Sequence, residues 1–504
     1  MPDERTLPDS TTVAEGPTSP SIWRRVAGWP VVLVLGVLVL VTRLPGLVSD
    51  HTFNTDEATL GVGGRVLRSG GSLYVDLIDR KPPLPFAAYA VFGTEHLQLI
   101  RFVVAVLVLG AAWLCADEAK RRWGSSAGWV AGLIVVLGAA ALAPADAQAA
   151  NFELFALFPI VVAVVAAARG RSALAGVALA VAVLCKQPAA VTILPVGWSW
   201  WATRRWRGVG TGLAAGAVTG VVLAAPFGLA NVIEWALLGT GGYLAFDPAD
   251  LGFLAVRLLA VVAIAAGFWA GAWLLLIGGR TGGADEPSTG AGGVDLDLWL
   301  LFWGSLVGVV AGFRFFPHYV LQVLPAVALL AARGYSRRPA LQRPAVILGV
   351  AATVITAGLA WSVVVSSPPK EQTDMAAYAR ANTAPDDTIL VWGNEPEVYW
   401  RAHRRPAGGF THSEFVTGYS GGRRPRPSTE ANVPDADVYQ DWIDRLRADP
   451  PELIFDTSAA DLRGGRWFPL AGFGQLQGLI HARYERVATI DEVPVYRLRS
   501  GTTS

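Results

Sequence analysis

The chain is poor in cysteine and in charge, and each shortage excludes a class of protein. Its 504 residues include two cysteines, Cys115 and Cys185, and both lie inside apolar runs. They allow neither a disulfide framework nor a thiolate metal site. Charged residues make up 16% of the chain, against about 25% in soluble domains, while 53% are hydrophobic. We therefore expect an integral membrane protein, because the apolar runs are too many for a signal peptide or a single anchor.

Nucleic-acid and nucleotide-binding signals are also missing. The formal net charge of +1 argues against nucleic acid as a partner. The sequence has neither a Gly-rich phosphate-binding loop nor a dinucleotide motif following a strand. Lysine is rare as well, since four of the 41 basic residues are lysines, at Lys81, Lys120, Lys186 and Lys370.

Apolar segments long enough to cross a bilayer are abundant. Eleven lie near 28–47, 98–117, 127–145, 152–168, 172–185, 188–202, 209–229, 252–279, 296–313, 318–333 and 344–366. Basic residues concentrate in alternate connections between them, which predicts a cytoplasmic N-terminus and an outer location for everything after the last span. The predicted fold class is a polytopic α-helical membrane protein of the plasma membrane, with membrane lipids as its surroundings.

Composition divides the chain into three parts. Residues 1–25 are rich in Ser, Thr and Pro and predict a disordered cytoplasmic tail. Residues 26–366 form the membrane domain, with a long outer loop at 48–97 and a Gly-rich linker at 281–294. Residues 367–504 predict a small C-terminal extracytoplasmic α/β domain. Its predicted helices are 374–382, 395–401 and 437–447, its strands are 388–392 and 453–455, and 484–498 predicts a hairpin.

Four polar clusters fall in the connections predicted to be outside. They are Asp56-Glu57 with Asp79-Arg80-Lys81, the segment from Asp146 to Glu153, the pair Lys186-Gln187, and the segment from Arg314 to Gln322. Ionisable residues near a membrane are costly and usually face a cavity. A carboxylate can accept a proton from a hydroxyl group, and a lysine can bind a phosphate. The clusters therefore predict an active site at the outer membrane surface.

Purely structural roles remain open for the first cluster. Asp56 could be the N-cap of an amphipathic helix at 57–68 that lies on the membrane. In that arrangement Leu60, Val62 and Leu67 would face lipid. Lys81 could extend to lipid head groups without contacting a substrate.

The other clusters have structural interpretations too. Glu153 could cap the span that it begins and favour the helix dipole. Lys186 could be an ordinary cation at the end of a helix. His318 could be an interfacial histidine that is hydrogen-bonded to the backbone.

Taken in order, these residues resemble the membrane-embedded GT-C glycosyltransferases, in particular the bacterial branch related to protein O-mannosyltransferases and lipid A aminoarabinose transferases. The matching features are Asp56-Glu57, Lys81-Pro82-Pro83, Glu153, Lys186-Gln187 and His318-Tyr319 with Gln322. Residues 390–399 are similar to the outer domain of actinobacterial members, and the likeness covers nearly the whole chain after residue 25. The aminoarabinose transferases carry an acidic residue directly before the Lys-Pro. Arg80 stands there in this chain, which leaves a divalent metal site open; no other cofactor is implied.

The resemblance implies an inverting glycosyltransferase that moves a sugar from a polyprenyl monophosphate carrier to a glycan, lipid or protein acceptor outside the cytoplasm. Asp56 would be the general base, and Glu57 and Glu153 would position the acceptor or the base. Lys81, with help from Arg80 or Lys186, would bind phosphate. Contacts to donor or acceptor would come from Asp79, Arg314, His318, Tyr319 and Gln322.

Two other classes stay open. A transporter or flippase of lipid-linked sugars should show polar residues or helix breaks in mid-membrane segments. A non-catalytic assembly subunit would not need Asp56. The discriminating feature is whether Asp56, Lys81 and Glu153 line one outward cavity that opens sideways to lipid.

Overall fold

The structure is a computed structural model, and it describes residues 29–49, 53–93, 95–142, 144–203, 206–239, 247–279, 295–366, 369–419 and 421–500. The predicted tail at 1–25 and the predicted linker at 281–294 lie outside the described residues. The remaining predictions of helices, strands and polar clusters can be compared with the coordinates.

The membrane part is a bundle of helices. In chain order they are α1 (Trp29–Val48), α2 (Thr55–Arg68), α3 (Pro83–Phe92), α4 (Leu97–Trp123), α5 (Ser125–Ala140), α6 (Pro144–Gln148), α7 (Phe152–Ala168), α8 (Ser172–Cys185), α9 (Ile193–Ala202), α10 (Trp206–Ala224), α11 (Leu229–Leu238), α12 (Leu251–Phe268), α13 (Ala270–Gly278), α14 (Leu296–Val310), α15 (Leu324–Arg337) and α16 (Pro339–Val364). Stretches of tighter 3₁₀ helix, Gln187–Thr192 and Pro317–Val323, lead directly into α9 and α15.

The prediction of a polytopic helical membrane protein is confirmed. Six helices of the described part are long and apolar enough to cross a membrane, namely Pro30–Val48, Leu97–Trp123, Trp206–Phe227, Pro248–Phe268, Pro317–Arg337 and Pro339–Ser362. Each of the eleven predicted spans coincides with one helix or with two consecutive ones, and the segment 252–279 divides at Trp269 into α12 and α13. Several of these helices are shorter, so the number eleven stays a prediction.

Residues 369–500 pack on one end of the bundle, which we call the domain face. The Ile78 amide donates to the Gly409 carbonyl at 2.8 Å, and Arg445 Nη1 donates to the Val75 carbonyl at 2.9 Å. The four polar clusters identified in the sequence all lie in connections at the domain face.

The small domain contains the predicted α/β fold. Its helices are α17 (Lys370–Asn382), α18 (Pro396–Ala402), α19 (Glu414–Thr417), α20 (Ala436–Ala448) and α21 (Gly474–Arg483), and its strands are β1 (Thr388–Trp392), β2 (Arg405–Pro406), β3 (Leu453–Asp456), β4 (Tyr484–Ile490) and β5 (Val493–Leu498). The sheet order is β2-β1-β3-β5-β4, with β1 parallel to both neighbours and β5 antiparallel to β3 and β4. The predicted hairpin is confirmed, and Asp491 and Glu492 form its turn with φ of 45° and 69°.

The opposite end of the bundle is closed by ion pairs around Glu118, whose side chain is 1% exposed. Arg121 Nε, Arg122 Nε and Arg169 Nη2 donate to its carboxylate at 3.0, 2.7 and 3.0 Å. Arg122 also pairs with Asp297 at 2.5 Å. We call Glu118 and its three arginines the Glu118 cluster; it joins the ends of α4 and α7 to the start of α14.

Candidate active site

Helix α2 places Asp56 at the domain face without using it as a cap. Asn54 is the N-cap, because its Oδ1 accepts a hydrogen bond of 3.0 Å from the Glu57 amide. Leu60 and Val62 are buried within the protein at 0% and 2% exposure. The alternative of a capping Asp56 on a helix whose leucine and valine face lipid is therefore wrong.

Three glycines allow α2 to fit between the small domain and α3. A Cβ atom at Gly61 would lie 2.4 Å from the ring of Trp400, and one at Gly63 would lie 2.4 Å from the ring of Phe86. At Gly64 it would lie 2.8 Å from the backbone nitrogen of Ala90. Heavy atoms cannot approach so closely, so the tight fit of α2 depends on the absence of side chains at these positions.

Glu57 faces the interior of the bundle rather than the polar clusters. It is 0% exposed, and Arg101 binds both of its carboxylate oxygens, at 2.9 and 2.5 Å. Its Oε1 also accepts a bond of 2.7 Å from the Ala150 amide. Arg101 donates further to the Gly46 and Ser49 carbonyls at 2.7 and 2.9 Å. This buried pair ties α2 to the end of α1 and to α4.

The Lys81 turn lies beside Asp56. Lys81 Nζ is 3.1 Å from Asp56 Oδ1 and 3.8 Å from Asp79 Oδ2. The turn is held by Asp79 Oδ1, which accepts from the Lys81 amide at 3.0 Å, and by the Tyr74 hydroxyl, which donates to the Lys81 carbonyl at 2.8 Å. Burial alone would lower the pKa of Lys81, but Asp79 and Asp56 outweigh it and raise that pKa. Lys81 is therefore a fixed cation within the site.

The second and third clusters meet the first through Glu153 and Lys186. Glu153 lies in the first turn of α7, but Asn151 is the cap, with its Oδ1 accepting from the Leu154 amide at 3.3 Å. Glu153 is 3% exposed and pairs with Lys186. Lys186 Nζ also lies 4.0 Å from the centre of the Tyr319 ring, a distance typical of a cation–π contact.

His318 joins these groups to Asp56. Its Nε2 lies 3.8 Å from Asp56 Oδ2 and 3.8 Å from Glu153 Oε1. Its Nδ1 lies 3.1 Å from Asp146 Oδ1. Sequence reasoning noticed Asp146 in the second cluster but gave it no role; its position in an outer connection was the available signal. We call Asp56, Lys81, Glu153, Lys186 and His318 the Asp56 cluster.

The electrostatics of the Asp56 cluster keep its central carboxylate ionised. Burial would raise the pKa of Asp56, but Lys81, His318 and Lys186 outweigh this effect and lower the pKa to about 2. Burial raises the pKa of Asp79, although Lys81 and Arg80 oppose the change. The two carboxylates next to Lys81 are thus biased in opposite directions, a difference common where a site needs distinct acid and base groups.

Besides Glu153 Oε1, which pairs with Lys186, two buried carboxylate oxygens of the site accept no hydrogen bond from any residue that the structure describes: Asp79 Oδ2 and Glu153 Oε2. Buried polar atoms are normally satisfied, so such acceptors point to a partner from outside the chain, such as water or the hydroxyl groups of a ligand. Within the described ranges, no group of three or more His, Cys, Asp or Glu side chains is arranged to hold a metal ion.

Three further predicted site residues contact other parts of the protein. Arg80 pairs with Glu414 of the small domain, and its guanidinium lies 4.6 Å from the Phe415 ring centre. Gln322 Nε2 donates to the Pro188 carbonyl at 2.9 Å, which links the two 3₁₀ stretches. Arg314 is 1% exposed, and the Gly421 carbonyl is among its acceptors, at 3.4 Å.

Comparison with known proteins gives the fold a name. No family model matches the chain, and no curated protein sequence matches it. Its structure is similar to two crystal structures of ArnT from Cupriavidus metallidurans, one bound to undecaprenyl phosphate and one in the apo state. Their sequence identities are 15% and 16%, the TM-score is 0.54 for both, and the matches cover 96% and 95% of this chain and 99% and 98% of that chain.

A second, more distant structure shares the architecture. The apo form of the Archaeoglobus fulgidus oligosaccharyltransferase matches with a TM-score of 0.50 and 10% identity, over 95% of this chain and 75% of that chain. At such low identities the similarity concerns the fold, and it agrees with the likeness that the sequence motifs indicated. The chain has the fold of the GT-C glycosyltransferases.

Proposed function

We propose that this protein is a glycosyltransferase that moves a sugar from a polyprenyl monophosphate carrier to an acceptor hydroxyl group at the domain face. The observation that carries the proposal is the Asp56 cluster: a carboxylate with a low pKa lies 3.1 Å from a lysine, beside a second lysine and an imidazole. The fold similarity to ArnT, which was crystallised with undecaprenyl phosphate, supports the same type of donor.

The reaction needs a base and a cationic site. The acceptor oxygen forms a bond to the anomeric carbon as the bond from that carbon to the phosphate oxygen breaks, which inverts the configuration. Asp56 accepts the hydroxyl proton, and the carrier leaves as polyprenyl monophosphate. The charge on the phosphate grows from about −1 to −2 during this step. Lys81 and Lys186 therefore bind the leaving phosphate more strongly than the intact donor, which is the condition for lowering the barrier.

Donor binding also changes the basicity of Asp56. Lys81 is the nearest cation to Asp56 and helps to hold its pKa at about 2. A phosphate that binds Lys81 competes with Asp56 for that charge and adds negative charge nearby. Both effects raise the pKa of Asp56, so the carboxylate becomes a better base only when the donor is in place.

The remaining polar groups divide into substrate contacts and supports. Asp79 and Glu153 carry unsatisfied buried oxygens and are assigned to hydroxyl groups of the sugar or the acceptor. Tyr319 and Asp146 hold Lys186 and His318. Glu57, Arg80, Arg314 and Gln322 are assigned to positioning, because they bind Arg101, Glu414, Gly421 and Pro188, which lie outside the Asp56 cluster.

We place the domain face outside the cytoplasm, in the plasma membrane. The opposite end carries Lys120, Arg121, Arg122, Arg169 and Arg337, and such basic residues are typical of cytoplasmic connections. Two exposed positions test this orientation, Thr489 in the small domain and Ser125 at the opposite end. A membrane-impermeant thiol reagent should label Thr489→Cys but not Ser125→Cys in intact cells. Labelling of both variants from the same side would contradict the topology.

A transporter is less well supported than an enzyme. The Asp56 cluster lies at the ends of helices, whereas a carrier should bind its substrate near the middle of the bundle. The break between α12 and α13 is closed by Trp269, whose indole N–H donates to the Gly138 carbonyl at 3.2 Å. An outward cavity that opens sideways to lipid at the cluster stays a prediction.

The deciding experiment is a transfer assay in proteoliposomes. A panel of hexosyl and pentosyl polyprenyl phosphates is offered to the purified protein with cell-wall glycans, lipids and proteins as acceptors. We expect one donor class to give a labelled product with the wild type and little product with Asp56→Asn. Equal product from both proteins would contradict the proposed base. Vectorial release of a labelled donor without product would favour a transporter.

A further inference from the structure

We infer that the small domain is the positioning half of the active site, and that Arg463 sets the location of Asp56. This inference rests on the proposed function and goes beyond it, because it gives the domain a role in the reaction itself. The supporting contacts reach both halves of the ion pair formed by Asp56 and Lys81.

Arg463 is directed at the N-terminus of α2. Its Nη1 donates to the Thr55 hydroxyl at 2.8 Å and to the Asn394 carbonyl at 2.7 Å. Its two terminal nitrogens bind the Glu397 carboxylate at 3.0 and 2.9 Å. The Thr55 hydroxyl donates in turn to Glu397 Oε1 at 3.1 Å. Arg463, Glu397 and Thr55 therefore each bind the other two. Because Thr55 is the first residue of α2 and directly precedes Asp56, these contacts fix the backbone that carries the proposed base.

The loop that presents Arg463 has an unusual backbone. Asp461 and Arg463 have φ of 52° and 47°, in the left-handed region that residues other than glycine rarely adopt. Such conformations persist only where surrounding contacts over-determine them, and they are concentrated at functional sites. Here the determining contacts are the bidentate pair with Glu397 and a further contact of 3.2 Å from Arg463 Nε to Glu395 Oε1.

The contact continues along α2. His412 Nε2 lies 2.8 Å from the Thr59 hydroxyl oxygen, and burial, with Lys81 adding to the effect, lowers the pKa of His412 to about 3. One turn and a half further on, Arg65 Nη1 donates to the Trp400 carbonyl at 2.6 Å. Its guanidinium also lies 3.8 Å from the centre of the Trp400 ring. The small domain therefore holds α2 from its first residue to its last turn.

The same domain holds the Lys81 turn. Glu414 pairs with Arg80, the residue directly before Lys81, and the Gly409 carbonyl accepts from the Ile78 amide at 2.8 Å. The small domain thus contacts both α2, which carries Asp56, and the turn that carries Lys81. The distance of 3.1 Å between these two side chains depends on both sets of contacts.

Stability alone does not explain this choice of residues. Glu395 and Glu397 are each 2% exposed, and burying two carboxylates against one guanidinium adds little stability compared with apolar packing. A bidentate guanidinium–carboxylate pair instead fixes distance and angle. Fixed geometry is what a base needs, because small displacements of a reacting group reduce the rate strongly.

The test compares Arg463→Gln with Arg447→Gln, which removes an exposed arginine of the same domain that pairs with Asp444. We expect Arg463→Gln to lower kcat about tenfold or more while the Kd for polyprenyl phosphate stays unchanged. Amide hydrogen exchange at residues 55–59 should become faster. Arg463→Lys should recover part of kcat, because it keeps the charge without the planar fork. Arg447→Gln should match the wild type in each measurement.

A raised KM for the acceptor with unchanged kcat and unchanged exchange would overturn the inference, since it would make the domain an acceptor-docking module. Should Arg463→Gln fail to fold, Thr55→Val removes the hydroxyl that Arg463 and Glu397 share, and the same loss of kcat is expected. If the wild type transfers no sugar from any donor, the proposed function fails. The exchange measurement still decides whether Arg463 holds α2.

Discussion

The two ends of the helix bundle each surround a carboxylate with cations, but they use different partners. In the Glu118 cluster, three guanidiniums donate short hydrogen bonds to one carboxylate. In the Asp56 cluster, the central carboxylate faces a lysine at 3.1 Å and an imidazole at 3.8 Å. Nearby oxygens of Asp79 and Glu153 accept no hydrogen bond from described residues.

The difference teaches how to separate a structural network from a reactive one. Arginine has a planar fork of donors that saturates a carboxylate, whereas the lysine ammonium is a compact charge that can change partners. In this arginine-rich chain, two of the four lysines lie in the Asp56 cluster. Arginines donate to both oxygens of the Glu118 carboxylate, whereas buried oxygens of Asp79 and Glu153 have no donor among the described residues.

The largest expected effect is on catalysis at the domain face. Asp56→Asn should reduce the transfer rate about 10²–10⁴-fold, since the amide keeps the shape but cannot accept a proton. The unfolding midpoint should stay close to that of the wild type. Turnover in proteoliposomes and thermal unfolding measure the two quantities, with Asp444→Asn as a control at an exposed ion pair. Near-normal turnover would transfer the role of base to another carboxylate.

At the other end, Glu118→Gln should act on stability. Removing one partner of a buried ion pair costs on the order of 3–5 kcal/mol, because the cations lose their compensation. Protein that remains folded should keep its specific activity. Denaturant titration checks the first expectation, and activity per folded molecule checks the second. As a control, Asp441→Asn removes an exposed partner of Arg445 and should change stability by about 1 kcal/mol at most. If Glu118→Gln lowered the specific activity without lowering stability, the Glu118 cluster would have a catalytic role like that proposed for the Asp56 cluster.

Lys81→Ala should weaken the use of the donor and inhibition by polyprenyl phosphate together, each by about 10–150-fold, the equivalent of a charged hydrogen bond of roughly 1.5–3 kcal/mol. Lys81→Arg should recover part of this loss. Lys370→Ala is the matched control, because Lys370 is 74% exposed and pairs with Asp491 in the small domain. Isothermal titration with polyprenyl phosphate measures the affinity. Equal affinities of wild type and Lys81→Ala would remove Lys81 from the phosphate site.

The smallest expected effect is a difference between two pH profiles. In the free enzyme the pKa of Asp56 is lowered to about 2, so kcat/KM should show no acid limb above about pH 4. In the donor complex the phosphate shares Lys81 and the pKa of Asp56 rises. The acid limb of kcat should therefore lie about one pH unit or more above that of kcat/KM. Initial rates between pH 3 and pH 8 should show the acid limb of kcat, while kcat/KM should stay without one above about pH 4. Coincident limbs would show that Lys81 stays with Asp56 during the reaction.

Much of the architecture was predictable because it is local. Apolar runs predicted the helices and the buried strand β1, the segment around Asp491-Glu492 predicted the hairpin of β4 and β5, and the structure confirms them. Outer polar residues predicted the members of the Asp56 cluster, since few charges fall in those connections. The sequence did not show that these residues lie close together in space. Their proximity results from the packing of α2, α7 and the two 3₁₀ stretches.

The supporting residues were not predictable in the same way. Their partners are distant in sequence, as for Arg101, Arg463 and His412. The neighbouring residues in the sequence do not indicate which residue such an arginine or histidine will contact. Arg80 was predicted to bind phosphate from its position beside Lys81. Its pairing with Glu414 depends on a contact across 334 residues. Hydropathy likewise suggested that Leu60 and Val62 face lipid. It could not show that the glycines of α2 let this helix pack closely against the small domain and α3.

The bond between Arg463 and Thr55 has a consequence for biosynthesis. The two residues are 408 positions apart, so the ribosome adds the second about 20–80 s after the first at typical elongation rates of roughly 5–20 residues per second. During that interval α2 has already left the ribosome, but the contacts that fix its first turn do not yet exist. If Arg463 positions Asp56 as inferred, a chain that ends before Arg463 should be inactive, although its Lys81 should still bind the phosphate of the carrier.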